Sequence, residues 1–207
     1  KIYDKPYELN TVGVRYQYQG QNYSNIFKDR LYAIWKDDSG NWKTKYWKIS
    51  SIPGLYKKKQ QNLLLKDYIK RNSPNRGGLG IMKPSQYINV YQIGTYGNYP
   101  AMKTVGKQLA YRDQNYGSKK ITFSNEDPAN AKGGSNFYMH IHKGFPSGSG
   151  VNSWSEGCQV FSNLSSLKEY FSIANVHKRK YGNKFTYTLI TSGDVDIASK
   201  KIDAENS

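Results

Sequence analysis

The chain runs to 207 residues, 37% of them hydrophobic, with 19 Tyr, 4 Trp and 19 Gly, a size that suits one domain with a substantial core and a composition that favours strands and turns. Its formal charge is +16, from 31 Lys and Arg against 15 Asp and Glu, so the partners that charge favours are polyanions: phosphate backbones, anionic lipid surfaces or acidic cell-wall polymers. No apolar run reaches the roughly 20 residues of a membrane-spanning helix, and a single cysteine, Cys158, excludes a disulfide within the chain.

The opening Lys1-Ile2-Tyr3-Asp4 lacks the apolar stretch of a secretory leader, which leaves two expectations, a cytosolic protein or an exported one read without its leader. Period-two alternation from Thr11 to Tyr18 predicts a strand, Gly20 to Asn25 punctuates, and alternation resumes from Arg30 to Trp35. Asp37-Asp38-Ser39-Gly40-Asn41 is a hairpin signal, with Trp42 to Ile49 as the returning strand and Pro53-Gly54 as the next turn. Residues 55–72 hold a lysine run and Leu63-Leu64-Leu65, which fit either a short amphipathic helix or a long loop, and 55–80 as a whole reads as an insertion or lid.

Strands return with Tyr87 to Ile93, followed by a turn from Gly94 to Pro100 and shorter strands over Lys103 to Arg112 and Lys119 to Phe123. Residues 124–136 form a polar loop. The best helix follows Ser162 or Asn163 as cap: Leu164, Leu167, Phe171 and Ala174 recur at helical spacing, and His177-Lys178-Arg179-Lys180 places positive charge at the dipole's C-terminal end before Gly182. Residues 192–207 carry no strong pattern and read as a loosely held tail.

Chemistry concentrates in two stretches. From Phe137 to His142, period two sets Phe137, Met139 and Ile141 on one face and Tyr138, His140 and His142 on the other. Downstream, Ser153-Trp154-Ser155-Glu156-Gly157-Cys158-Gln159 is a small, glycine-containing turn leading into the cysteine. A thiol becomes a good nucleophile as thiolate, which a neighbouring imidazole or backbone N–H groups favour, and Gly157 allows close backbone approach.

His142-Lys143-Gly144, a Gly/Ser-rich loop and then Ser155-Glu156-Gly157-Cys158, with 16 positions from His142 to Cys158, resemble the L,D-transpeptidase catalytic domain (YkuD-like). The likeness extends by pattern from an early hairpin at Asp29 to Asn41 to a closing strand at Phe185 to Ile190. It departs at Glu156, where many members carry His, and at Val160, where they carry a basic or amide residue; Gln159 is the polar residue nearest that gap. The resemblance implies a β-rich α+β fold over 1–207, a mixed sheet or sandwich with a helix flanking the Cys turn. It implies Cys158 as nucleophile, His142 as proton relay and the Ser155 and Gly157 turn as oxyanion support, with Tyr138, His140, Trp154, Glu156 and Gln159 at the substrate. The implied reaction is acyl transfer or hydrolysis on peptidoglycan stem peptides by a monomer of the cell envelope, with no cofactor or metal.

Three rivals stand beside that reading. His140, His142 and Cys158 supply three zinc ligands, but the sequence offers no second cysteine and no ligand spacing beyond His-x-His. Lys45-Tyr46-Trp47-Lys48 interleaves cations and aromatics as single-stranded nucleic-acid binders do, without an accompanying fold signature. A non-catalytic module for an anionic polymer, with a degenerate site, is the third.

Overall fold

The computed structural model describes residues 1–16, 22–23, 26–52, 79–113, 120–121, 138–144, 150–151, 155 and 157–205. Its frame is a closed, β-rich sheet of eight strands in the order β1 (Asn10–Arg15), β12 (Phe185–Thr191), β6 (Ser85–Tyr96), β7 (Tyr99–Thr104), β10 (Ile141–Lys143), β11 (Gln159–Phe161), β4 (Trp42–Ser50) and β3 (Asp29–Lys36), which returns to β1. Two contacts are parallel, β1 with β12 and β10 with β11, and the others are antiparallel. The short strands β2 (Asn22–Tyr23) and β9 (Lys120–Ile121) pair with each other, as do β5 (Leu79–Met82) and β8 (Ala110–Asp113).

The β3–β4 hairpin forms where the alternation predicts it. Asp37 Oδ1 accepts from the N–H groups of Ser39 and Asn41 at 3.0 and 2.9 Å, and Gly40 takes φ 81°, which a side chain would resist. Helix α1 (Leu164–Tyr181) also follows its sequence signals. Asn163 caps it by accepting from Ser166 N–H at 2.8 Å, and Gly182 N–H closes it on Lys178 O at 3.0 Å. Its inner face brings Tyr170 against Trp47 and Phe161, and His177 against Phe185, so the helix shares one apolar core with the sheet. Thr11 and Tyr170 join their hydroxyls at 2.9 Å inside it.

Several expectations change in detail. β1 ends at Arg15, with Tyr16 outside it, and residues 17–18 of the expected strand lie outside the described residues. The turn expected over Gly94 to Pro100 narrows to Gly97-Asn98: Gly94 pairs with Ala101 and Pro100 with Thr95 inside the ladder. A Cβ on Gly94 would lie 2.9 Å from Cδ of Lys103, a flexible side chain that can shift. The run Lys103 to Arg112 divides between β7 and β8, which belong to different sheets. In place of a loose tail, Ser192–Glu205 forms α2. Thr191 and Asp194 close a reciprocal cap, with Thr191 N–H and Oγ1 both donating to Asp194 Oδ2 at 2.7 Å and Asp194 N–H returning to Thr191 Oγ1 at 3.3 Å. No α2 residue is buried, so the cap rather than a packed face starts the helix. The readings for 55–72 and 124–136 fall outside the described residues. No described helix is long and apolar enough to cross a membrane.

Candidate functional site

The two stretches singled out by their chemistry meet as neighbouring parallel strands. In the β10–β11 register Ile141 faces Gln159 and His142 faces Val160; Gln159 N–H donates to His140 O at 2.9 Å and Gly144 N–H to Phe161 O at 2.8 Å. Met139, Ile141 and Phe161 go to the core and His140 and His142 lie outside that cluster, but the strand expected from Phe137 begins only at Ile141, and just before it His140 N–H donates to Tyr138 O at 3.1 Å. Cys158 lies one residue before β11, as His140 lies one residue before β10, and is partly exposed.

The two imidazoles have different tautomers, each fixed by a backbone partner. Thr104 N–H donates to His140 Nδ1 at 3.0 Å, so that nitrogen is an acceptor and the ring proton sits on Nε2. His142 Nδ1 lies 2.8 Å from Lys143 O, which only accepts, so here Nδ1 carries the proton and Nε2 the lone pair. His142 Nε2 is buried and has no hydrogen-bond partner among the described residues. Burial pushes the His140 pKa down to about 4, helped by His142 and Lys103, and burial also lowers that of His142. At neutral pH the pair is uncharged, one ring a donor and the other a base.

The Cys turn is tied together by Ser155, whose Oγ accepts from Gly157 N–H at 3.1 Å and donates to Cys158 O at 2.8 Å. That use engages the Gly157 N–H inside the turn, so Ser155 and Gly157 here shape the backbone around the thiol. Gly157 takes φ 140°, and a Cβ on it would lie 2.5 Å from Gly80 O of β5. Cys158 Sγ is 3.8 Å from Tyr138 O, so its S–H points at a backbone acceptor at rest.

Tyr138 is 66% exposed, its ring 6.4 Å from that of His140. Gln159, expected at the substrate, is instead fully buried on the core side, where Oε1 accepts from Tyr187 O–H at 3.0 Å and Nε2 reaches Met82 Sδ at 3.9 Å. The alternation that turns Cys158 outward turns Gln159 inward. Val160 is also fully buried, so a long basic side chain would have no water there. Trp154 and Glu156 lie outside the described residues. Among those described, no three His, Cys, Asp or Glu side chains gather as a metal site.

Two residues join the site that sequence alone did not single out. Tyr96, at the tip of the β6–β7 hairpin, stacks on His142 with centroids 5.3 Å apart and tilts over His140 at 5.1 Å. Tyr99, just across the tip, holds the Lys143 ammonium 3.6 Å from its ring centroid. The hairpin was legible, but its placement over the histidines depends on β7 pairing with β10 through Ile141 and Met102. No protein-family model, curated protein or solved structure matches this chain.

Proposed function

We propose that the protein is a cysteine enzyme of the L,D-transpeptidase kind, transferring or hydrolysing acyl groups of peptidoglycan stem peptides through Cys158 and His142. The observation that carries this reading is the buried Nε2 of His142, which has no hydrogen-bond partner among the described residues, on the strand paired with the one that Cys158 leads into, its tautomer set by Lys143 O. In use, the Cys158 side chain turns from Tyr138 O and gives its proton to His142 Nε2, and the thiolate attacks a peptide carbonyl beside a diamino acid. His140, with its proton on Nε2, donates to the oxyanion. The tetrahedral intermediate collapses to a thioester as the amine leaves with the proton from His142, and an amine or water then takes the acyl group. An amine gives a cross-link, and water gives a carboxypeptidase or endopeptidase product. The basic surface draws the enzyme to an anionic wall.

The test is the alkylation of Cys158 by iodoacetamide across pH, in wild type and His142→Ala. A wild-type rate already high at pH 7 that falls at least about 10-fold in His142→Ala fits a thiol served by that base. Equal rates in both proteins, rising only near the free-thiol pKa of about 8.5, contradict the pairing.

A further inference from the structure

The sheet wall opposite the Cys–His strands carries a second surface. In the closed order, β1 lies four places from β10 and β12 four places from β11. Register sets Tyr46, Tyr32, Val12, Thr188 and Gln86 in one row across β4, β3, β1, β12 and β6. Their sequence neighbours Leu31, Trp47, Tyr187 and Leu189 are core residues, so the row faces outward. At ~4.8 Å per strand it runs for ~19 Å.

Cations flank it. Arg30 and Lys48 are cross-strand partners beside the tyrosines, and Lys36 and Trp42 are partners at the other end of the hairpin. The Arg30 guanidinium is held 5.2 and 4.8 Å from the ring centroids of Tyr16 and Tyr46, and Nη1 donates to Tyr32 Oη at 3.3 Å. Lys36 Nζ sits 5.0 Å from the Trp42 ring. The ion pairs among the described residues involve none of these three cations. Tyr46 and Trp42 nevertheless remain 52% and 49% exposed. A cavity of about 320 Å³ continues the row, its lining including Val12, Ile34, Trp42, Gln86, Thr188 and Lys1.

We propose that this face binds an acidic glycan strand. A pyranose presents a face of C–H bonds that packs on an electron-rich aromatic ring, and Tyr46, Tyr32 and Trp42 offer such rings on the outer face of the closed sheet. Sugar hydroxyls need polar partners: the Gln86 amide is engaged by Lys1 and Thr188 and the Asn10 amide by Tyr3 and Ile34, so the Thr188 hydroxyl, which accepts from Gln86, is the group between the ends of the row with a proton to donate. Carboxylates on the strand meet Arg30, whose fork is pre-set by the tyrosines, and Lys36 and Lys48. A single-stranded nucleic acid would also stack, but it asks for a cation track along its whole backbone, whereas Arg30, Lys36 and Lys48 on β3 and β4 stand at one end of the row and Lys1, beside Gln86 of β6, at the other, with Val12 and Thr188 between them. The inference rests on the proposed wall reaction only for the source of the glycan.

The test uses Cys158→Ala protein, so that binding is measured without turnover, and soluble un-cross-linked glycan strands that keep their stem peptides. Adding Tyr46→Ala or Trp42→Ala weakens binding about 10-fold, whereas Tyr46→Phe, which keeps the ring, binds as the parent does. Arg30→Gln weakens it by a similar factor and flattens its salt dependence. Unfolding midpoints confirm that each variant is folded. Variants that all bind like the parent, or oligo(dT) bound more tightly than the glycan, overturn the proposal. Turnover of a free stem peptide by otherwise wild-type enzyme separates the two readings: Tyr46→Ala leaves it unchanged, and a peptide never turned over while the face variants still lose glycan sinks the catalytic reading alone.

Discussion

Replacing Gly157 by alanine presses on the joint between the Cys turn and β5. Two costs add. A side chain at φ 140° occupies backbone space that favours glycine, at about 1–3 kcal/mol. The new Cβ would also lie 2.5 Å from Gly80 O, about 0.9 Å inside ordinary contact, and the obstacle is backbone rather than a side chain that can swing aside. Met139 Cε, 3.1 Å away, closes another side. Overpacking of this kind adds about 1–3 kcal/mol when it cannot relax, so the expected loss is about 2–4 kcal/mol if the turn yields partly. A turn that yields carries Cys158 with it, and a displacement approaching 1 Å at a reacting group costs about 100-fold in rate. Urea unfolding of Gly157→Ala measures the first effect, and iodoacetamide alkylation of Cys158 and stem-peptide turnover in the folded protein measure the second. A variant within about 0.5 kcal/mol of wild type that keeps its alkylation rate would refute the idea that β5 fixes the thiol's position.

Tyr187→Phe removes the only protein donor to Gln159 Oε1 among the described residues and leaves that oxygen buried, so urea unfolding should show a loss of about 1–3 kcal/mol. Asn163→Ala deletes the α1 cap and should cost about 1 kcal/mol by the same measurement. The His140 ring, held near 4 against 6.5 in the unfolded chain, favours the folded state while neutral. That contribution is complete above pH 6.5, falls as the unfolded chain takes up its proton first, and is gone at about pH 4. NMR titration of the ring should place its midpoint near 4, and a midpoint at 6.5 would show that Thr104 N–H and burial do not hold it neutral.

How much of this was legible in the sequence depends on the range over which each signal acts. The β3–β4 hairpin and α1 are written locally, in the Asp37–Asn41 turn and in the Asn163 and Gly182 caps around a helical apolar stripe. The α2 start was equally local, since Thr191 and Asp194 stand at capping-box spacing, but the polar stretch after them gave no apolar stripe to mark a helix. Parallel pairing of β1 with β12 joins the two ends of the chain, and no local pattern encodes such a contact. At the site, period two grouped His140 with His142 and apart from Met139 and Ile141, a grouping that holds although the strand begins only at Ile141, and the same rule assigns Gln159 to the core side opposite Cys158. What alternation could not give was the tautomers. They come from Thr104 and Lys143 backbone groups, one of them on β7, and with them comes the division of the two rings into donor and base.

The central claim, that Cys158 forms a covalent bond to the substrate, is met most directly by intact-protein mass spectrometry after mixing with peptidoglycan stem-peptide fragments. The account predicts a mass increase equal to the acyl portion of the stem peptide, located at Cys158, absent from Cys158→Ala and at least about 100-fold slower to appear in His142→Ala. No adduct and no released product in any protein, with wall fragments bound equally by wild type and Cys158→Ala, would contradict it and leave a binding module for an anionic polymer.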